Sequence, residues 1–131
     1  VYFHNLRTGK RNNLFPTYLS HAATAMHFSG RAFKKRGWVL ISTYSHSGSW
    51  QWLHEKVIAV QLRANPVILN LAHHHSMFAK HPNFGGYFTE PHATVNRDFT
   101  RIMFNSNWDV NSPLDIDAYM VELSSDMMPL N

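Results

Sequence analysis

Three stretches of the chain are versions of one phrase: Tyr2-Phe3-His4-Asn5-Leu6, Ile58-Ala59-Val60-Gln61-Leu62 and Tyr119-Met120-Val121-Glu122-Leu123. Each holds a large apolar residue, strand-forming residues, a polar residue and a closing Leu, which is the form a duplicated β-strand takes after divergence. One strand recurring at wide, similar intervals predicts a repeat architecture rather than a single compact sheet.

The 131 residues are 44% hydrophobic and 14% aromatic, enough apolar material for a core and too much for a disordered chain. No run approaches the roughly 18 apolar residues of a membrane helix, so a soluble chain without a membrane partner is expected. Cysteine is absent, which excludes disulfide and thiolate chemistry. Asn111-Ser112-Pro113 lacks a hydroxyl residue at its third position, so it is no glycosylation acceptor. The chain opens on Val1, already inside a strand pattern, and a longer native protein is the expectation.

The net charge of +4 is modest and grows as the ten His protonate below about pH 6.5. Two basic clusters, Arg7 to Arg11 and Arg31 to Arg36, lie beside Gly in predicted turns and read as solvated loop charge. Neither has aromatic residues at base-stacking spacing, so no nucleic-acid partner is expected.

Leu6 is followed by the turn Arg7-Thr8-Gly9-Lys10 and then by Leu14 and Phe15, a hairpin pattern. Leu62 is followed by Arg63-Ala64-Asn65-Pro66 and the apolar run from Val67 to Leu71, a second hairpin. Ala22 to Phe28 and Trp38 to Thr43 precede that hairpin and complete a four-stranded unit. Pro91 to Val95, Arg101 to Asn105 and Ile116 to Leu123 repeat its first three strands. Trp38 to Ile41 and Val57 to Val60 are continuously apolar where a half-exposed strand would alternate, so both faces of that sheet must be covered. An antiparallel four-stranded sheet covered on both faces is a blade of a β-propeller. The predicted organisation is all-β, about two and a half blades, with residues 1–20 ending one blade, 21–75 forming a complete one, 87–123 most of the next and 124–131 a tail. Such a segment closes a ring only with further blades, from the same longer chain or from copies in a homo-oligomer.

Thr94 to Asn107 followed by Asp115 to Leu123 resembles the repeat of TolB-type and WD40-like propellers, with Asp98, Ile102, Phe104 and Ser106 at the positions of the pattern. Phe99 stands where that family has Gly, and Arg97 where it has Pro. The resemblance implies the fold and, weakly, a periplasmic or extracellular location; propellers host many functions.

Blade topology sends Ser45 to Glu55 and His73 to Glu90 to one face, carrying His46, His54, Trp50, Trp52, His73, His74, His75 and His81 there, with His21 and His92 at the start of innermost strands. Eight of the ten His are thus expected on one face. The Arg31 to Arg36 loop is expected on the opposite face. Extended chain alternates its side chains, so His73 and His75 share a direction while His74 turns away, and Glu90 and His92 form a similar pair. Imidazoles with a carboxylate suit a divalent metal, Mn, Ca or Zn, and His73, His75, Glu90 and His92 are the expected ligands. Trp50 and Trp108, with His46, are expected to contact substrate, the rings stacking on sugars.

Ala72 to Ser76 followed by Glu90-Pro91-His92-Ala93 is similar to the closing part of propellers related to oligogalacturonate lyases, which have His-Pro-His where this chain has Glu90-Pro91-His92. The resemblance implies a divalent ion held by His near the channel and cleavage of an acidic, uronate-containing oligosaccharide by β-elimination. A non-catalytic scaffold for protein interaction or self-assembly is the alternative.

Overall fold

The computed structural model describes residues 1–19, 21–47, 49–77, 86–112 and 114–128, without the side chains of residues 23 and 45–47. His81 and the side chain of His46 therefore lie outside the described residues. Among the described residues there are ten strands: β1 (Tyr2–His4), β2 (Arg11–Asn13), β3 (Tyr18–Leu19), β4 (Ala22–Ser29), β5 (Trp38–Ser47), β6 (Lys56–Gln61), β7 (Ile68–His73), β8 (Thr94–Val95), β9 (Arg101–Ser106) and β10 (Asp117–Glu122). The only helical element among the described residues is a 3₁₀ turn over Tyr87–Thr89. No helix there is long and apolar enough to cross a membrane.

The fold is all-β and antiparallel. β1 and β2 form a hairpin, β3 to β7 a five-stranded sheet in chain order, and β8 to β10 a three-stranded sheet in chain order. The three stretches of similar sequence supply β1, β6 and β10, and β4 to β7 form an antiparallel meander that β3 extends by a short edge strand. The arrangement is compatible with propeller blades. Expectation and structure differ at the short β3, which pairs Tyr18 with Ala23 and Leu19 with Ala22 and so covers only the start of the β4 edge. They differ also at residues 91–93, which form no strand before β8, the backbone turning left-handed at His92.

Pleating divides the five-stranded sheet into two apolar faces. Leu40 and Val57 face a core shared with Val95, Phe99, Ile102 and Phe104 of the three-stranded sheet. Their neighbours Ile41, Ile58 and Val60 face a second core closed by Phe15 and Leu14, which follow β2. Each of these central residues is at most 1% exposed. At roughly 1.5–3 kcal/mol for each such side chain, this two-sided burial is the main stabilising contribution. Continuous hydrophobicity in β5 and β6 follows from it. The outer sheets alternate instead: in β9, Arg101 and Met103 are exposed while Ile102 and Phe104 are buried.

Phe99 takes the position that favours Gly, with φ at 63°. The turn is held by Asn96 and Asp98, whose side-chain oxygens accept from the Thr100 amide at 2.9 and 3.3 Å. Left-handed backbone costs a non-Gly residue about 1–2 kcal/mol, but the Phe99 ring is 1% exposed in the core between the two sheets. Losing a buried ring costs about 3–5 kcal/mol. Burial therefore outweighs strain, and Phe99→Gly is expected to lower stability by about 2 kcal/mol in urea unfolding despite relieving φ, whereas Met120→Ala on the exposed face should change it by under about 0.5 kcal/mol.

Candidate metal centre

The register His27↔Ser42 and Ser29↔Leu40 puts His27 and Ser29 on the face of β4 that looks toward the three-stranded sheet. Ser29 Oγ meets Thr94 Oγ1 at 3.4 Å and accepts from the Val95 amide at 3.4 Å, so β4 and β8 lie side by side. Glu90-Pro91-His92-Ala93 approaches along the same seam. It is held by the Glu90 amide donating to Tyr87 O at 3.2 Å, the Asn105 amide to Pro91 O at 2.8 Å, and the Ala93 amide to Ser42 Oγ at 3.1 Å.

Three donors converge there. Glu90 Oε2 lies 2.9 Å from His27 Nε2 and 3.4 Å from His92 Nε2. One donor atom from each residue lies within 4.8 Å of the other two, and among the described residues this is the group that could hold a metal ion. The rings are stacked: Tyr44 lies 4.4 Å from His27 at 10°, and His92 lies 4.0 Å from His27 on a tilt of 30°. Stacking fixes the direction of the His27 nitrogens. His92 has φ at 42°, a strained backbone that carries its ring back over His27. Burial, then the neighbouring His27, lower the His92 pKa against an opposing effect of Glu90, which favours the neutral, ligating imidazole. Tyr44 is raised by burial and then by the charge of Glu90, and stays a phenol. A cavity of about 350 Å³ leads from His27 and His92 past Ser29, Gly30 and Thr94 to Arg31. The start of the basic loop is thus not separated from the site, because β4 ends in the groove that begins at His27.

Glu90 and His92 come together, though through the left-handed turn at His92 rather than through extended-chain alternation, and the imidazole beside them is His27 and not His73 or His75. Those two rings do share a direction, 4.2 Å apart, at the far end of β7. His73 Nε2 lies 2.9 Å from Glu55 Oε2, and His75 Nδ1 lies 3.1 Å from Asp109 Oδ2. Glu55, His75 and Asp109 all have positive φ, which turns each carboxylate toward its imidazole. Between them, His74 is 1% exposed; its Nε2–H donates to Thr43 O at 2.7 Å, and its Nδ1 accepts from the Ser76 amide at 3.0 Å. That residue is a structural pin.

Trp50 is exposed and edge-on to His54, 5.2 Å away, while His54 itself is buried behind it. Trp108 lies 4.8 Å from His75 and stacks on Tyr119 at 4.8 Å, closing the end of the seam between sheets. Besides Tyr44, the ring of Tyr87 lies near the three-donor group, 58% exposed and 6.0 Å from His92. The chain matches no family model, no curated protein and no solved structure.

Burial lowers the His74 pKa to about 4, with the Thr43 carbonyl opposing and the neighbouring His73, His75 and Lys56 assisting. Since the folded value lies below the ordinary 6.5, protonation favours the unfolded chain. The His74 contribution is complete above about pH 6.5 and is lost as pH falls toward 4, a total of roughly 3 kcal/mol at 1.36 kcal/mol per unit. Urea unfolding of wild type and His74→Gln across that range should show the steeper loss in wild type. Parallel pH profiles would contradict this role.

Proposed function

We propose that the sheets are successive blades of a β-propeller related to the TolB and WD40-like types, and that the groove between its innermost strands binds a divalent ion through His27, Glu90 and His92. Supporting this are the meander of β4 to β7 and the adjacency of β4 and β8. The carrying observation is one buried carboxylate within reach of two stacked imidazoles. Two imidazoles and a carboxylate suit Zn or Mn; Ca prefers a shell of oxygens. A bound ion would replace the Glu90–His27 hydrogen bond and supply Lewis acidity toward an anionic ligand.

The ligand class is an acidic carbohydrate and the candidate reaction β-elimination from a uronate. The groove has hydroxyls at Ser29 and Thr94 for sugar oxygens and Arg31 for a second anionic group. Tyr87 offers an exposed ring for stacking beside His92. Tyr44 orients His27 and, held as a phenol, serves as a hydrogen-bond donor rather than a base.

Titration of the metal-free chain with Zn²⁺ and Mn²⁺ should show one site. Glu90→Gln and His27→Ala should weaken it by at least about 100-fold, beyond the roughly 10–100-fold typical of outer-shell changes, while His73→Ala leaves it unchanged. Affinity should fall with pH as protons compete for the ligands, and the lowered His92 pKa moves that loss at His92 below the ordinary imidazole range. Ultraviolet absorbance of unsaturated products from polygalacturonate tests the reaction. Metal binding without absorbance would leave a metal-dependent binding module, and absence of both would overturn the proposal.

A further inference from the structure

A second depression, of about 640 Å³, lies on the exposed face of the three-stranded sheet. Its volume falls in the roughly 300–1,000 Å³ range of small-ligand pockets. Met103 and Met120 sit directly opposite each other across β9 and β10 and form its floor, with Phe33 beside them. All three are exposed, between 49% and 64%. Arg31, Arg97 and Arg101 stand around them. Arg101 pairs with Glu122 at 3.0 Å, whereas among the described residues no carboxylate pairs with Arg31 or Arg97. A floor of two thioethers and a phenyl ring inside a rim with excess positive charge is built for an anion carrying an apolar body.

We propose that this bowl binds a free single-chain aliphatic carboxylate, its headgroup at Arg31 and Arg97 and its chain over Met103 and Met120. The planar guanidinium fork matches a carboxylate, and flexible thioethers mould to an alkyl chain without requiring one length. A sugar would leave its hydroxyls unmatched on that floor. A second copy fits poorly: face to face it sets these arginines against each other, and the hairpin flank is also basic, with Arg11 exposed in β2 and Arg7 and Lys10 exposed in its turn. The bowl shares Arg31 and Thr94 with the groove beside the metal group, uses none of the three metal donors, and requires this face of the three-stranded sheet to stay open, as it is in the chain described, rather than covered by a further blade.

Calorimetric titration of the full chain with sodium dodecanoate, below its micellar range and with chelator present, tests it. One saturable site is expected, absent for dodecyltrimethylammonium. The double variant Arg31→Ala, Arg97→Ala and the single variant Met120→Asp should each weaken binding at least tenfold, with unchanged circular dichroism, and Arg97→Lys should keep part of the affinity. No saturable site, equal binding of the cationic amphiphile, or unaltered affinity in the double variant would overturn the proposal. So would concentration-dependent association in sedimentation through this face with no response to dodecanoate. Because chelator is present throughout, failure here leaves the metal reading standing, and the reverse also holds.

Discussion

The structure depends on a sheet that is apolar on both faces. Leu40 and Ile41 are neighbours in β5 and point to opposite sides, yet both are fully buried. Neither core survives without its covering layer, so the hairpin side and the three-stranded side are each bound to the central sheet by the hydrophobic effect rather than by the chain linking them. The same pleat that sends Leu40 toward the three-stranded sheet sends His27, Ser29 and Ser42 the same way. Toward β4 and β8 that interface becomes polar, and the group of His27, Glu90 and His92 lies at its polar end.

Polar groups at such an interface must be matched, and the buried His74 and the more open His27 and His92 show different solutions. His74 uses both ring nitrogens on the backbone, at Thr43 and Ser76, and has no capacity left for a ligand. His27 and His92 instead share one carboxylate and stay partly open to the groove. Positive φ is concentrated around the histidine clusters, at Glu55, His75, His92 and Asp109, where side chains must be turned toward one another against the ordinary preference of the backbone.

Strands and their grouping were legible because β5 and β6 lack alternation and the repeated phrase marks β1, β6 and β10. Glu90 and His92 were legible as neighbours in one segment, but the positive φ that brings His92 back beside Glu90 was not. His27 was not, since it lies in a run read as plain strand. The signal available was Ala25, His27 and Ser29 in alternate positions, a small and polar stripe on a strand whose other face carries Met26 and Phe28. His73 and His75 were correctly aligned with each other, but their separation from Glu90 follows from contacts to Glu55 and Asp109, and positive φ at those carboxylates leaves no trace in residue type. Phe99 is a further case: a turn position that favours Gly is filled by the residue the core requires.

β3 covers β4 only as far as Ala23, and beyond that point, among the described residues, the inner margin of β4 has no strand partner. Amide and carbonyl groups of the main chain are therefore presented along the wall of the groove between His27 and Arg31. Such groups cannot be altered by substitution, so a molecule lying there could be gripped by contacts that persist through sequence drift, leaving the side chains at either end to decide which molecule it is.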